Sequence, residues 1–131
     1  MPKSVESITR PGTAAAARPP MADATRWGDL LLLSGRAAVD PATFQLRSGD
    51  FEVQAQIVMD DIVSVLETCG SGLEHVLLVE CSLADPGDFA AWNRVFVERF
   101  PSSPPARTTL VSGFAVDGML IEVQVTAGVP S

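Results

Sequence analysis

Two charged side chains in an otherwise small and apolar chain stand where chemistry is to be expected. In "PPARTTLVSGF", Pro104 to Phe114, Arg107 follows two prolines and an alanine at the mouth of a segment that alternates like a β-strand. A cation there must meet an anion or stay in water, because an unpaired charge inside a protein is costly. In "LIEVQVT" the same period of two separates Glu122, Gln124 and Thr126 from Ile121, Val123 and Val125. The apolar trio can face a core, which leaves Glu122 on the opposite side of its strand, where an acid must be paired, hydrated or used. Arg107, Thr109 and Val111 likewise share one face, with Thr108, Leu110 and Ser112 on the other. Such a guanidinium and such a carboxylate allow two readings. They form a structural ion pair or lie on a solvated rim, or they are used in chemistry. The residue pattern leaves both open.

Other reactive types are sparse. Ser34-Gly35 interrupts "LLLLSGRAAVDP", and a glycine there suggests a bulge or the close approach of a backbone or ligand. His75 is the single histidine and reads as an ordinary strand-edge residue. Cys69 and Cys81 fall near the end of a predicted helix and inside a predicted strand; two cysteines make neither a disulfide framework nor a zinc site, so both read as small core residues. No metal and no cofactor is expected.

The elements that must position these groups follow from periodicity. "SVESIT", residues 4–9, reads as a short strand, residues 10–26 as an irregular Pro- and Ala-rich connection, and "WGDLLLLSGRAAVDP" as one strand broken at Ser34-Gly35. Residues 51–69 carry Ala55, Val58, Met59, Ile62, Val65, Leu66 and Cys69 at helical spacing, with Gln54 and the acids mainly elsewhere and Gly70 as the stop. Residues 75–85 read as a strand with Leu77, Val79, Cys81 and Leu83 on one face. A second helix follows over 86–100, with Asp85 as N-cap and Phe89, Trp92, Val95, Phe96 and Phe100 as its buried stripe. Two more strands, "ARTTLVSGF" and "MLIEVQVTAG", flank an Asp117-Gly118 turn signal.

The order β, β, α, β, α, β, β predicts one α+β domain over residues 1–131: a mixed sheet of about five or six strands with both helices on one face. Leu30 to Leu33, Leu78 and Val111 leave apolar groups for the other face, which a partner subunit would bury, so an oligomer is expected.

Composition narrows the partners. Nine basic against sixteen acidic residues give a net charge of −7 with no basic run, which argues against nucleic acid. The mean hydropathy of +0.24 and 47% hydrophobic residues describe a folded chain slightly more apolar than a small monomer hides. No apolar run approaches the length that crosses a bilayer, and the first residues lack a signal-peptide core; a soluble cytoplasmic protein is expected, without membrane partners.

The segments "LLLLSGRAAVDP", "LETCGSGLEHVLLVECSLADPGDFAAWNRVFVERFPSSPPARTTL" and "IEVQVTA" resemble, in order and spacing, the RidA family, also called YjgF or L-PSP proteins, over about residues 27–127. The resemblance implies a chorismate-mutase-like fold, a homotrimer with sheets packed inward, and ligand sites between subunits. It implies hydrolysis of reactive enamine/imine intermediates, 2-aminoacrylate-like 2-imino acids, to 2-keto acids and ammonia. Arg107 matches the family's carboxylate-gripping arginine and Glu122 the acid associated with the hydrolytic water; Ser34 and Gly35 match its "SG" turn, Asn93 belongs to its C-terminal signature, and Thr109 shares the face of Arg107. Met21 stands where the family often has a pocket tyrosine, Arg36 where it has glutamine and Thr109 where it has cysteine. Arg36 is either a second pocket cation suited to a dianionic substrate or a solvated edge charge. The alternatives from other classes are a non-catalytic trimer that binds small carboxylates and a pathway-specific deaminase for an aminomuconate-like or biosynthetic intermediate.

Overall fold

The computed structural model describes residues 3–13 and 18–131, so the short alanine run lies outside the described residues. Six strands form one sheet in the order β1-β2-β3-β6-β4-β5. They are β1 (Glu6–Ile8), β2 (Ala24–Trp27), β3 (Leu30–Leu33), β4 (Val76–Leu83), β5 (Ala106–Val111) and β6 (Ile121–Gly128). The helices are α1 (Phe51–Thr68) and α2 (Phe89–Arg99). Only β4 and β5 run parallel, and α2 supplies the crossover that a parallel pair requires.

The strand expected over the "WGDLLLLSG" region is in fact a hairpin. β2 begins inside the segment read as irregular, and Trp27 and Leu30 pair across a two-residue turn in which Gly28 takes a φ of +62°. That left-handed backbone suits glycine, and Gly-Asp is a hairpin turn in its own right. The Asp117-Gly118 signal does the opposite: Gly118 has a φ of +84°, yet β5 and β6 do not pair, because β4 lies between them. The turn serves a crossing over the end of β4.

α1 starts where the Asp50 carboxylate accepts from the Val53 N–H. It ends in a Schellman turn: Ser71 N–H donates to the Leu66 carbonyl and Gly70 N–H to that of Glu67, with Gly70 at a φ of +75°. All seven apolar residues of its expected stripe are buried. Gln54, expected on the polar side, is buried too. Its side-chain N–H groups donate to the carbonyls of Ser48 and Gly118, and its oxygen accepts from Leu120 N–H, so it fastens the helix to the approach to β6.

A bulge between Val76 and Leu78 changes the parity of β4, so Val76 is buried and Leu77 exposed, the reverse of strict alternation. α2 is preceded by a 3-10 turn over Pro86–Asp88, where Asp85 caps Gly87 N–H. The extra turn rotates Phe89 off the stripe, leaving it 47% exposed, whereas Trp92, Val95, Phe96 and Phe100 are buried as expected. Trp92 meets Phe96 edge-on at 5.9 Å between ring centres.

Both helices lie on one face of the sheet, over Leu31, Leu33, Val79, Cys81, Leu83 and Val123, all buried. The other face is open: Trp27, Leu30 and Leu32 are each more than 40% exposed, next to Glu80, Glu122 and Gln124. Val111, expected on that face, is in register with Leu83 on the helix side.

Arg10, Arg18 and Asp23 are held down by charge. Asp23, fully buried, meets Arg10 at 3.2 Å, Arg18 at 3.2 Å and Arg36 at 3.2 Å, while Asp61 on α1 meets Arg36 at 2.7 Å and Arg10 at 2.8 Å. Arg36 is therefore neither a solvated edge charge nor a free pocket cation. Burial pushes the Asp23 carboxyl upward, but hydrogen bonds from the Arg10 backbone and side chain and the charge of Arg36 outweigh it and hold it below the usual carboxylate range.

A carboxyl lowered in the folded state stabilises above its unfolded value and loses that contribution as pH falls through the folded one. Thermal melts should therefore decline below about pH 4, and Asp23→Asn should cost about 3 to 5 kcal/mol at pH 7 while flattening that acid limb. A pH-independent loss would show that Asp23 acts by shape alone. Trp92→Ala should cost about 3 to 5 kcal/mol in denaturant unfolding. A near-neutral result would contradict its place in the core.

Candidate functional site

The register of β4 with its two neighbours fixes where the charged groups point. Arg107 lies beside Val79 and Thr109 beside Cys81, both buried under the helices, whereas Glu122 lies beside Ser82 and Gln124 beside Glu80 on the open face. Arg107 and Glu122 thus occupy opposite faces of one sheet, and within one chain they form no ion pair. The six expected residues separate into two groups.

On the helix side, the Arg107 guanidinium stacks 4.3 Å from the centre of the Phe96 ring and 5.7 Å from that of Phe89. Rings in that position attract a cation without consuming its N–H groups. The guanidinium makes one side-chain hydrogen bond, 3.2 Å from Nη2 to Thr109 Oγ1, and meets no carboxylate among the described residues. Six of the other arginines do pair with acids. Asn93 falls on α2 one turn from each of the two rings, at the i, i+4, i+7 positions of one face, and its Oδ1 is buried without a hydrogen-bond partner among the described residues. Leu83, Pro86, Phe89, Thr109 and Val111 border a cleft of about 450 Å³ beside the guanidinium.

Cys81 lies in register with Thr109, and burial pushes its thiol up to about 12 despite the opposing charge of Arg107. Cys69 is buried and raised in the same sense. Neither thiol is poised as a nucleophile.

On the open face, the Glu122 carboxylate lies against the backbone of Gly35. A methyl group on Gly35 would come within 2.6 Å of Glu122 Oε1, so any side chain there would displace the Glu122 carboxylate from this position. The flanking residue pins it: Arg36 N–H donates to the Val123 carbonyl at 2.7 Å and receives the return bond at 3.0 Å. Ser34 is committed to structure, its hydroxyl donating to the Ala22 carbonyl at 2.7 Å. Glu122, Gln124, Glu80, Ser82, Thr108 and Leu110 enclose a shallow cavity of about 290 Å³.

Gln54 is a site-positioning residue that sequence reasoning placed on the wrong side of its helix. Its bonds to Gly118 and Leu120 set the start of β6, two residues before Glu122. The only signal was a glutamine at a position within the helical stripe. Met21 does not replace a pocket tyrosine in any polar role; its carbonyl accepts from Arg18. His75 ends a 3-10 turn beside Glu74. Among the described residues no group of His, Cys, Asp and Glu could hold a metal ion, and no helix is long and apolar enough to cross a membrane.

Comparison with known proteins identifies the fold and the family. The family model described as Endoribonuclease L-PSP matches residues 12–129. A RutC family protein of Pyrococcus horikoshii is 33% identical over 108 residues, covering 82% of this chain and 86% of its own. The mitochondrial protein mmf2 of Schizosaccharomyces pombe is 37% identical over 94 residues, covering 72% and 73%. The crystal structure of RidA from an Antarctic Psychrobacter superposes with a TM-score of 0.85 at 29% identity, covering 95% of this chain and 99% of that one. The chain belongs to the L-PSP family, that of the RutC, YjgF and RidA proteins.

Proposed function

We propose that this protein is a hydrolytic deaminase of enamine/imine intermediates, converting 2-aminoacrylate-like 2-imino acids to 2-keto acids and ammonia without cofactor. The observation that carries the reading is the unpaired Arg107 guanidinium, held over two phenyl rings at the edge of a cleft. A buried or half-buried cation without an anion is a site waiting for one. A planar fork fits a carboxylate through two parallel bonds, each charge-assisted contact contributing about 1.5 to 3 kcal/mol. Holding the carboxylate fixes the adjacent imine carbon relative to a water, which is most of what this chemistry needs.

The acid comes from elsewhere. Since Glu122 lies across the sheet from Arg107, a site that uses both must form between copies, with Arg107 from one and Glu122 from the next. The uncovered apolar open face and the free β5 edge supply surfaces for a closed homotrimer. There, an ionised Glu122 takes a proton from water as its oxygen adds to C2 of the protonated imine. It returns the proton to the nitrogen of the carbinolamine, and as the C–N bond breaks it takes the hydroxyl proton, leaving keto acid and ammonia. Glu80 and Glu122 on the open face, with the net charge of −7, disfavour an RNA backbone despite the family's description.

Arg107→Ala should leave folding and trimerisation intact but lower kcat/KM for 2-aminoacrylate, generated in situ by a serine dehydratase, about a hundredfold. Lysine should restore only part of it. Sedimentation of the wild type should give a trimer; a monomer at micromolar concentration would remove the shared site. The arrangement between copies has its own test. Arg107→Ala and Glu122→Gln chains, each inactive alone, should regain about one quarter of wild-type sites when refolded together in equal amounts, because each site draws one residue from each neighbour. No recovery would mean that both residues serve the same subunit's site. Wild type that binds small carboxylates yet accelerates no imine hydrolysis would make the protein a binding module.

A further inference from the structure

We infer that the arginine cluster around Asp23 holds one small monovalent anion of chloride size, in a cavity bordered by Arg18 and Arg36 on the helix side of the sheet. This cavity is separate from the two already described, since none of its lining residues borders either of them. Arg36 faces Val123 across an antiparallel bridge, and Val123 is buried under the helices, so the site lies on the face opposite Glu122. Charge carries the argument. Arg10, Arg18 and Arg36 supply three positive charges, Asp23 and Asp61 two negative ones, and none of the five side chains is more than 18% exposed. One positive charge is left over where water reaches poorly, and a charge so placed calls for a counter-ion.

The hydrogen-bond donors show the same surplus. Arg36 spends Nε on Asp61 and Nη1 on Asp23, and its Nη2 makes no hydrogen bond to a described residue. Arg18 spends Nη1 on Asp23 and Nη2 on the Met21 carbonyl, which leaves its Nε. Both side chains are more than nine-tenths buried. Arg10 Nη2 is likewise buried with no partner among the described residues. Size then selects the ligand. The cavity measures about 20 Å³, room for one water-sized particle and too little for a carboxylate or a phosphate. Met21, Val39 and Phe44 contribute to its wall, and Asp61 borders it with both oxygens already taken by Arg10 and Arg36. A water there would satisfy an N–H group but leave the charge standing, whereas a halide does both.

Thermal melts of the wild-type protein, with sodium chloride exchanged for sodium gluconate at fixed ionic strength, test this without requiring turnover. Once chloride exceeds the dissociation constant of the site, each tenfold increase should raise Tm by about 3 to 6 °C, while gluconate, too large to enter, should not. Arg36→Gln and Arg18→Gln each bring the cluster to two charges of either sign, so both variants should lose the difference between the two salts. A wild type that responds equally to both salts, or variants that keep the full chloride response, would overturn the inference. Crystals of the wild type grown in sodium bromide give a second measurement that does not depend on either variant folding. They should show one anomalous peak within hydrogen-bond reach of Arg18 and Arg36. A water in its place would overturn the inference, and so would a bromide peak without any chloride dependence of Tm, which would mean an adventitious ion only.

Discussion

The ion cluster around Asp23 is the constraint on which the site side of the molecule depends. A single fully buried carboxylate receives three guanidiniums from three stretches of chain, and Asp61 on α1 completes the set. Buried charges of this kind contribute little net stability over an apolar core, but removing one partner leaves the others uncompensated. The cluster therefore acts as a register pin. It fixes Arg10 and Asp23 against α1 and holds Arg36 where its backbone pairs with Val123. Gly35 is thereby placed under Glu122. A charged cluster thus sets the position of a carboxylate that it never touches.

Alternation of side chains puts Arg107 with the helices and Glu122 on the face they leave bare, so the chain separates its two most chemically suggestive groups by the thickness of a sheet. The aromatic stripe of α2 has a double use. Trp92 and Phe100 fill the core, while Phe96 and Phe89 extend toward the edge strand and carry the guanidinium. Gln54 and the Gly118 turn do the corresponding work for β6 from beneath.

Much of this was legible in the sequence because it followed from period and punctuation. The two helices, the mixed sheet with helices on one face, the apolar trio of β6 and the pairing of Arg107 with Thr109 on one face needed nothing more than side-chain alternation and caps. What was not legible depended on one-residue shifts. The hairpin at Gly28 hid inside an apolar run, the bulge at Val76 and Leu78 inverted one end of β4, and the 3-10 turn at Pro86 rotated Phe89 outward. Arg36 and Gln54 were misplaced for another reason. A polar side chain is buried only when distant partners satisfy it, and those partners, Asp23 and Asp61 for the one and Ser48, Gly118 and Leu120 for the other, are not visible in local sequence.

The buried state of the two cysteines makes the surface chemically quiet. Burial pushes the Cys81 thiol up to about 12 and raises Cys69 in the same sense, so little of either is thiolate at neutral pH. Maleimides and other thiol reagents therefore meet almost no native target in the folded protein. A cysteine introduced at an exposed helix position such as Val97 would be the reactive one, so spectroscopic labels can be set at a single chosen point without first stripping the chain of its own sulfur.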